Sequence, residues 1–234
     1  MIESRLSGVD WTRMQAELDA HGVARAAGLL NTEECRAIAE LYDLEQGFRS
    51  RVIMGRHGFG RGEYRYFSYP LRPIIQVLRT SLYLHLVATA NRWNALMGFE
   101  ARYPEEHAAF LTRCHDAGQT QPTPLLLRYA PGDFNCLHQD IYGEHVFPLQ
   151  AAVLLSEPGR DFEGGEFVVT EQRPRMQSRV EVLPLRQGDL VVFAVRERPA
   201  QGTRRIYRVK HRHGVSRLRA GQRHMLGIIF HDAQ

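Results

Sequence analysis

His138 and Asp140 stand one residue apart, and His213 follows far downstream. Two imidazoles and one carboxylate on one face of a metal ion leave its remaining coordination positions open. That is the ligand set of a mononuclear Fe(II) oxygenase, which must bind both O2 and a cosubstrate at one ion. A His-x-Asp pair alone is weak evidence, because short motifs arise by chance in a chain with eleven histidines. Taken singly, His138 reads equally well as a loop histidine and Asp140 as a turn or cap residue. The distal imidazole is also a choice, since His211 and His213 form a His-x-His pair of their own.

Four further features agree with an iron site. Tyr129-Ala130-Pro131-Gly132 lies just upstream of the His-x-Asp pair. Gly164-Gly165-Glu166-Phe167 marks a hairpin, and Gln187-Gly188-Asp189-Leu190 introduces the apolar run Val191 to Val195. Arg223 heads an apolar strand pattern, Met225 to Phe230, where a charge without a partner would be costly.

Over roughly residues 120 to 234 these motifs resemble the 2-oxoglutarate and Fe(II)-dependent dioxygenases, specifically the prolyl-hydroxylase-like branch. The N-terminal half carries no comparably specific match. The resemblance selects His213 over His211, because Arg223 then falls at the family offset and Gly214-Val215 is the usual companion. It implies that His138, Asp140 and His213 hold Fe(II). Arg223 would clasp the far carboxylate of 2-oxoglutarate through two parallel charge-assisted hydrogen bonds, and Tyr129 would add a third. It further implies O2 as cosubstrate, succinate as coproduct, hydroxylation of a substrate C–H bond, and ascorbate as a reductant in vitro. His211 is then a member of the basic segment or a support for the metal ligands.

The formal net charge of +4 is unevenly spread. From Arg196 to His224, ten basic residues face one acid, Glu197, so the rest of the chain is net acidic. Arg204, Arg205, Arg208, Lys210 and Arg212 lie in this band, which overlaps the distal ligand and suits a polyanionic partner. A solvated face is the ordinary alternative, and with Lys210 the only lysine, an arginine-rich composition also feeds the count. A second candidate surface is residues 51 to 68, where Arg56, Arg61 and Arg65 interleave with Phe59, Tyr64, Tyr66 and Phe67 among glycines. Such a composition suits a mobile lid that stacks on bases and neutralises phosphates. Its alternative is a hairpin that packs its aromatics on a barrel.

Nucleic acid, and DNA carrying alkylation damage in particular, is therefore the preferred partner. The offset of Arg223 departs from the paired-arginine signature of alkylation-repair enzymes and supports a second reading, a protein or prolyl hydroxylase. A third is a DNA-binding protein that keeps the barrel as a scaffold, with catalysis secondary or lost.

These side chains need a scaffold, and the pattern changes period to supply one. The first half reads as helical. Asn31 caps a helix with Glu34 three residues on, Pro73 opens a long helix to Met97, and Pro104 to Ala117 forms another. From Pro124 eight strands are expected: Leu125 to Tyr129, Val146 to Leu155, Glu166 to Val169, Glu181 to Leu183, Leu190 to Val195, Arg205 to Val209, His213 to Leu218 and His224 to Phe230. The expected class is α+β. A double-stranded β-helix, or jelly roll, over residues 121–234 would carry an N-terminal helical and lid region, residues 1–120, packed on it. No apolar run is long enough to span a membrane and no secretory signal is read. Cys35, Cys114 and Cys136 lack paired spacing, which points to free thiols and a cytoplasmic setting.

Overall fold

A computed structural model describes residues 2–234. The strand Arg223–Ile228 shows how its architecture arises, because its side chains alternate between two cores. Leu226 and Ile228 pack into one that is shared with the helices, while Met225 packs into another that fills a barrel. Strands Leu149–Leu154 and Leu190–Ala194 alternate in the same way: Ala151, Val153, Val192 and Ala194 face the helices, and Ala152, Leu154, Val191 and Phe193 face the barrel. A strand buried on both faces carries a near-continuous apolar run, as these do.

In chain order the helices are α1 Ile2–Ser7, α2 Trp11–His21, α3 Thr32–Glu40, α4 Pro73–Leu96 and α5 His107–Asp116. The strands are β1 Val23–Ala26, β2 Phe48–Ile53, β3 Gly60–Arg61, β4 Glu63–Phe67, β5 Leu125–Tyr129, β6 Phe134–His138, β7 Leu149–Leu154, β8 Phe162–Gly164, β9 Phe167–Gln172, β10 Arg179–Leu183, β11 Leu190–Ala194, β12 Glu197–Gln201, β13 Ile206–Val215, β14 Leu218–Gly221 and β15 Arg223–Ile228. One sheet runs β1-β11-β7-β15-β5-β4-β2 and the facing sheet β10-β9-β13-β6-β3, with β12 paired to β13 and β14 to β8. Every named strand pair is antiparallel. The two sheets enclose the barrel core, as a jelly-roll arrangement requires.

The helices cover the outer face of the larger sheet. The capping box at the start of α3 is present, Asn31 accepting from the Glu34 backbone and Glu34 from that of Asn31. α4 begins at Pro73 and buries Ile75, Leu78, Leu82, Leu86 and Trp93. It also buries Arg79, whose guanidinium pairs with Asp232 at 2.7 Å and donates to the Ile229 and His231 carbonyls, pinning the C-terminal tail to the helix.

The structure departs from the sequence expectations in three places. Arg205–Val209 and His213–Leu218 are not two strands, since β13 runs unbroken from Ile206 to Val215. The stretch read as a lid is a β2–β4 hairpin whose second strand pairs with β5 and so extends the larger sheet. Its glycines hid the alternation of Tyr64, Arg65 and Tyr66, which face in, out and in. α1, α2, β1, β6, β8, β12 and β14 match no expected element. No helix among the described residues is long and apolar enough to cross a membrane.

Candidate metal centre

β13 and β6 lie side by side in the smaller sheet, with His213 directly opposite His138. Gly214 makes this approach possible, because a Cβ there would sit 2.7 Å from the Asn135 carbonyl oxygen. The chain leaving β6 is anchored by Gln139, whose amide nitrogen donates to the His211 carbonyl at 2.7 Å and the Arg196 carbonyl at 3.2 Å. Asp140 follows at once and turns its buried carboxylate between the two imidazoles.

His138 Nε2 is 3.4 Å from Asp140 Oδ1, and His213 Nε2 is 3.3 Å from Asp140 Oδ2. The ligating atoms of the three residues all fall within 4.8 Å of one another. His138 Nδ1 donates to the Cys136 carbonyl at 2.7 Å, which leaves Nε2 as the free electron pair turned toward the cluster. Tyr142, two residues beyond Asp140, donates its hydroxyl to Asp140 Oδ1 at 2.8 Å. Burial pushes the Asp140 carboxyl up, but hydrogen bonds and charge from His138 and His213 overcome it and hold the group well below the ordinary carboxylate range. An anionic oxygen pair and two neutral-capable imidazoles converging at one point fit a divalent transition metal with open positions.

The cluster opens into a cavity of about 180 Å³ lined largely by aromatic and aliphatic side chains, among them Tyr64, Tyr66, Tyr129, Phe193 and Met225. Arg223 lies directly opposite Tyr129 on the neighbouring strand. It is 1% exposed, and its Nη2 donates to the Met225 sulfur at 3.2 Å. Its Nε and Nη1, like the Tyr129 hydroxyl, have no protein partner. Burial pushes the guanidinium down to about 10 and the phenol up to about 12. Orphaned buried donors on a cation carry a penalty of several kcal/mol unless an anion meets them. The pair therefore fits a carboxylate.

Arg223 itself borders the adjoining cavity around Phe162, Glu166 and Arg219; Phe167 lines both cavities, and Met225, which accepts from Arg223, lines the metal cavity. The hairpin expected at Gly164-Gly165 does not form, since β8 pairs with β14 and β9 with β10 and β13; instead Gly165, at φ +62°, lies so near Arg223 that a Cβ would come within 3.0 Å of Arg223 Cδ.

The other candidate residues scatter. Tyr64 and Tyr66, both from the second candidate surface, line the metal cavity. Arg65 points to the opposite face of β4, donating to the Leu44 carbonyl and lying over the Tyr42 ring at 5.0 Å. Arg208 donates to the Met97 carbonyl and lies 4.3 Å from the Phe99 ring centroid, which fastens it to the end of α4. Arg204 and Arg205 are exposed in the β12–β13 turn. Arg56 and Arg61 are exposed on the β2–β4 hairpin, whose Phe59 lines the metal cavity. Lys210 and Arg212 are exposed on the outer face of the smaller sheet. His211 is fully buried against Gly22 and takes no part in the metal cluster. Sequence reasoning misses Tyr142 and also Gln150, which lines the metal cavity with its buried Oε1 unpartnered, although Tyr142 extends the His-x-Asp spacing by one more alternate position.

Comparisons with known proteins agree with this geometry. The Oxygenase-NA family model, described as an oxygenase catalysing oxidative methylation of damaged DNA, matches residues 62–233. An uncharacterised protein of Mycobacterium tuberculosis is 45% identical over 182 residues, covering 76% of this chain and 78% of that protein. An oxidoreductase of the 2OG-Fe(II) oxygenase family from Burkholderia pseudomallei superposes with a TM-score of 0.54 at 20% identity, over 96% of this chain and 93% of that one. A prolyl hydroxylase from Trichoplax adhaerens, solved with a hypoxia-inducible-factor peptide, gives 0.53 at 13% identity over 97% and 90%. The fold is thus that of the prolyl-hydroxylase-like 2-oxoglutarate and Fe(II) oxygenases, and the chain belongs to the Oxygenase-NA family.

Proposed function

We propose that this protein is an Fe(II)- and 2-oxoglutarate-dependent dioxygenase that hydroxylates a C–H bond of a nucleic acid, with damaged DNA as the preferred substrate. One arrangement carries the reading: a His138–Asp140–His213 cluster opens into an apolar cavity, and beside it the cross-strand neighbours Tyr129 and Arg223 each hold buried donors without a protein partner. His138, Asp140 and His213 would hold the iron. Tyr129 and Arg223 would hold the far carboxylate of 2-oxoglutarate, orienting it along β15 and β5. When bound, the iron and 2-oxoglutarate together reduce O2, yielding succinate and CO2 and placing one oxygen atom on the substrate carbon.

The remaining residues shape the site. Tyr142 fixes the rotamer of Asp140, and the Cys136 carbonyl fixes the tautomer of His138. Phe193, 4.5 Å from the His213 ring, helps keep the cavity dry. Phe59, 47% exposed and lining the cavity, offers a face on which a base can stack, with Arg56 and Arg61 beside it for phosphates. Residues 121–234 carry the metal and cosubstrate ligands, and residues 1–120 supply the cover and this hairpin. The three free cysteines suit a reducing compartment such as the cytoplasm. The description of the matching family supports DNA as substrate.

The test is succinate release with Fe(II), ascorbate and 2-oxoglutarate, run alone and with DNA, RNA or cell-extract protein, using Asp140→Ala as the blank. Stimulation by DNA is expected. Wild-type turnover in Asp140→Ala would reject the metal cluster. The ten-residue separation of His213 and Arg223 favours a second reading, a protein or prolyl hydroxylase. Stimulation by protein alone, with a +16 Da product, would replace the first reading with that one.

A further inference from the structure

The outer face of the sheet that carries His138 and His213 holds a second concavity, of about 180 Å³, whose lining includes Gln139, Arg196, Lys210 and Arg212. We propose that it is a phosphate-binding groove that guides the backbone of a single nucleic-acid strand toward the mouth of the metal cavity. This inference rests on the nucleic-acid reading above and gives it a location.

Strand alternation creates the groove. Along β13, His211 and His213 are buried while Lys210 and Arg212 are exposed, so the distal ligand and the cations occupy opposite faces of one strand. Arg196, just past β11, joins them. Many arginines of this chain are already committed: Arg5, Arg51, Arg79, Arg128 and Arg198 all pair with carboxylates. Arg196, Lys210 and Arg212 make no ion pair among the described residues. Glu197, which also lines the groove, lies 3.8 Å from Arg208 instead.

The groove adjoins the active site. Gln139 lines both concavities and is the residue between His138 and Asp140. Its amide is held by two backbone carbonyls, so it forms a fixed ridge over which a strand would cross. His138 is part-exposed on the inner side of that ridge, and Phe59 stands at the same cavity with its ring stacked on His57 at 5.3 Å. A backbone held outside the ridge could thus present one base to the cavity.

The chemistry of the lining selects the occupant. Arginine and lysine side chains donate hydrogen bonds and accept none, and a phosphodiester oxygen only accepts. A peptide would bring its own N–H donors to this donor-rich surface. It could not add a strand here either, since β9 and β13 in the floor already pair with each other.

The test measures binding of a fluorescein-labelled oligothymidylate of about 15 nucleotides by anisotropy, over roughly 50 to 300 mM NaCl. Each phosphate contact on a single strand contributes about 0.7 to the slope of log affinity against log salt. The triple variant Arg196→Gln/Lys210→Gln/Arg212→Gln should therefore lose about 2 from that slope and at least about tenfold in affinity. Arg196→Lys/Arg212→Lys should keep the slope, and Arg204→Gln/Arg205→Gln should match wild type. If wild type binds but the triple variant keeps the full slope, the groove is rejected and the nucleic-acid reading stands. If wild type binds no oligonucleotide at low salt, both fall. Capture of a labelled polyglutamate peptide through the same three residues, with no oligonucleotide binding, would assign the groove to an acidic protein and overturn the proposal.

Discussion

Arg223 and Tyr129 are cross-strand partners in the β15–β5 ladder, the guanidinium carbon lying 5.4 Å from the ring centroid, and the polar ends of both side chains retain unpaired donors. Placing an unpaired cation in a barrel core is expensive, and the neighbouring thioether of Met225 compensates for little of that. A carboxylate bound at the guanidinium would meet part of this unpaired donor capacity with charge-assisted hydrogen bonds. Arg223→Ala should therefore raise the KM for 2-oxoglutarate by about 10- to 150-fold, the range expected for losing about 1.5–3 kcal/mol of charged hydrogen bonding. Arg223→Lys should recover only part of this, because an ammonium cannot present the planar fork. Steady-state succinate release against 2-oxoglutarate concentration checks it, and an unchanged KM would remove Arg223 from the cosubstrate site.

Tyr142 touches the cluster through a single hydrogen bond to Asp140. Deleting that hydroxyl leaves the ring in place and frees the carboxylate to rotate. Tyr142→Phe should weaken binding of Fe(II), or of Mn(II) as its surrogate, by about 10- to 100-fold, as for other residues that orient metal ligands. Anaerobic metal titration reads this directly, with circular dichroism confirming an intact fold.

The Arg79–Asp232 pair is fully buried, and Tyr69 and His115 also hydrogen-bond to the Asp232 carboxylate, each at 2.8 Å. Removing one partner strands the other charge. Arg79→Met should destabilise the protein by about 3–5 kcal/mol in urea unfolding, and adding Asp232→Asn should restore part of the loss. Equal instability of the single and double variants would show that the tail is held by packing alone.

Burial depresses four histidines, His107, His211, His224 and His231, and each adds to the pH dependence of stability, as His107 and His231 show. Burial pushes both His107 and His231 down to about 4. His231 Nδ1 accepts from the Phe147 backbone at 3.2 Å, so the folded form keeps this ring unprotonated there. In the unfolded chain both titrate near 6.5, so below that pH the unfolded state binds more protons. Their contribution is complete above about pH 6.5 and is lost as pH falls toward 4, at up to about 1.4 kcal/mol per pH unit for each ring. Melting temperature should drop over this window, and His107→Gln should flatten the decline. A melting temperature independent of pH between about 6.5 and 4.5 would contradict the burial of these rings.

The central strands and the type of chemistry are legible in residue order alone. β7, β11 and β15 are legible because each is buried on both faces along most of its length and so carries a near-continuous apolar run between turn residues, and β5 because Leu125-Leu126-Leu127 opens it. The long helix α4 is legible from Pro73 and its three-to-four spacing. His138, Asp140 and His213 are visible as residue types in order. Nothing in their separation along the chain reveals that His213 sits opposite His138, because that depends on which strand pairs with β13.

The remaining features arise from contacts between distant parts of the chain. β6 carries a candidate ligand yet shows no apolar period, since its side chains are exposed or half-buried along its length. The charge count was plain, but which cations are free was not. Arg65 and Arg208 are occupied by the carbonyls of Leu44 and Met97, while Lys210 and Arg212, close neighbours of Arg208 in sequence, face an open groove. A side chain's availability is set by the groups that folding brings to it from distant parts of the chain. Local sequence sets the direction in which a side chain points, and only packing sets what it meets.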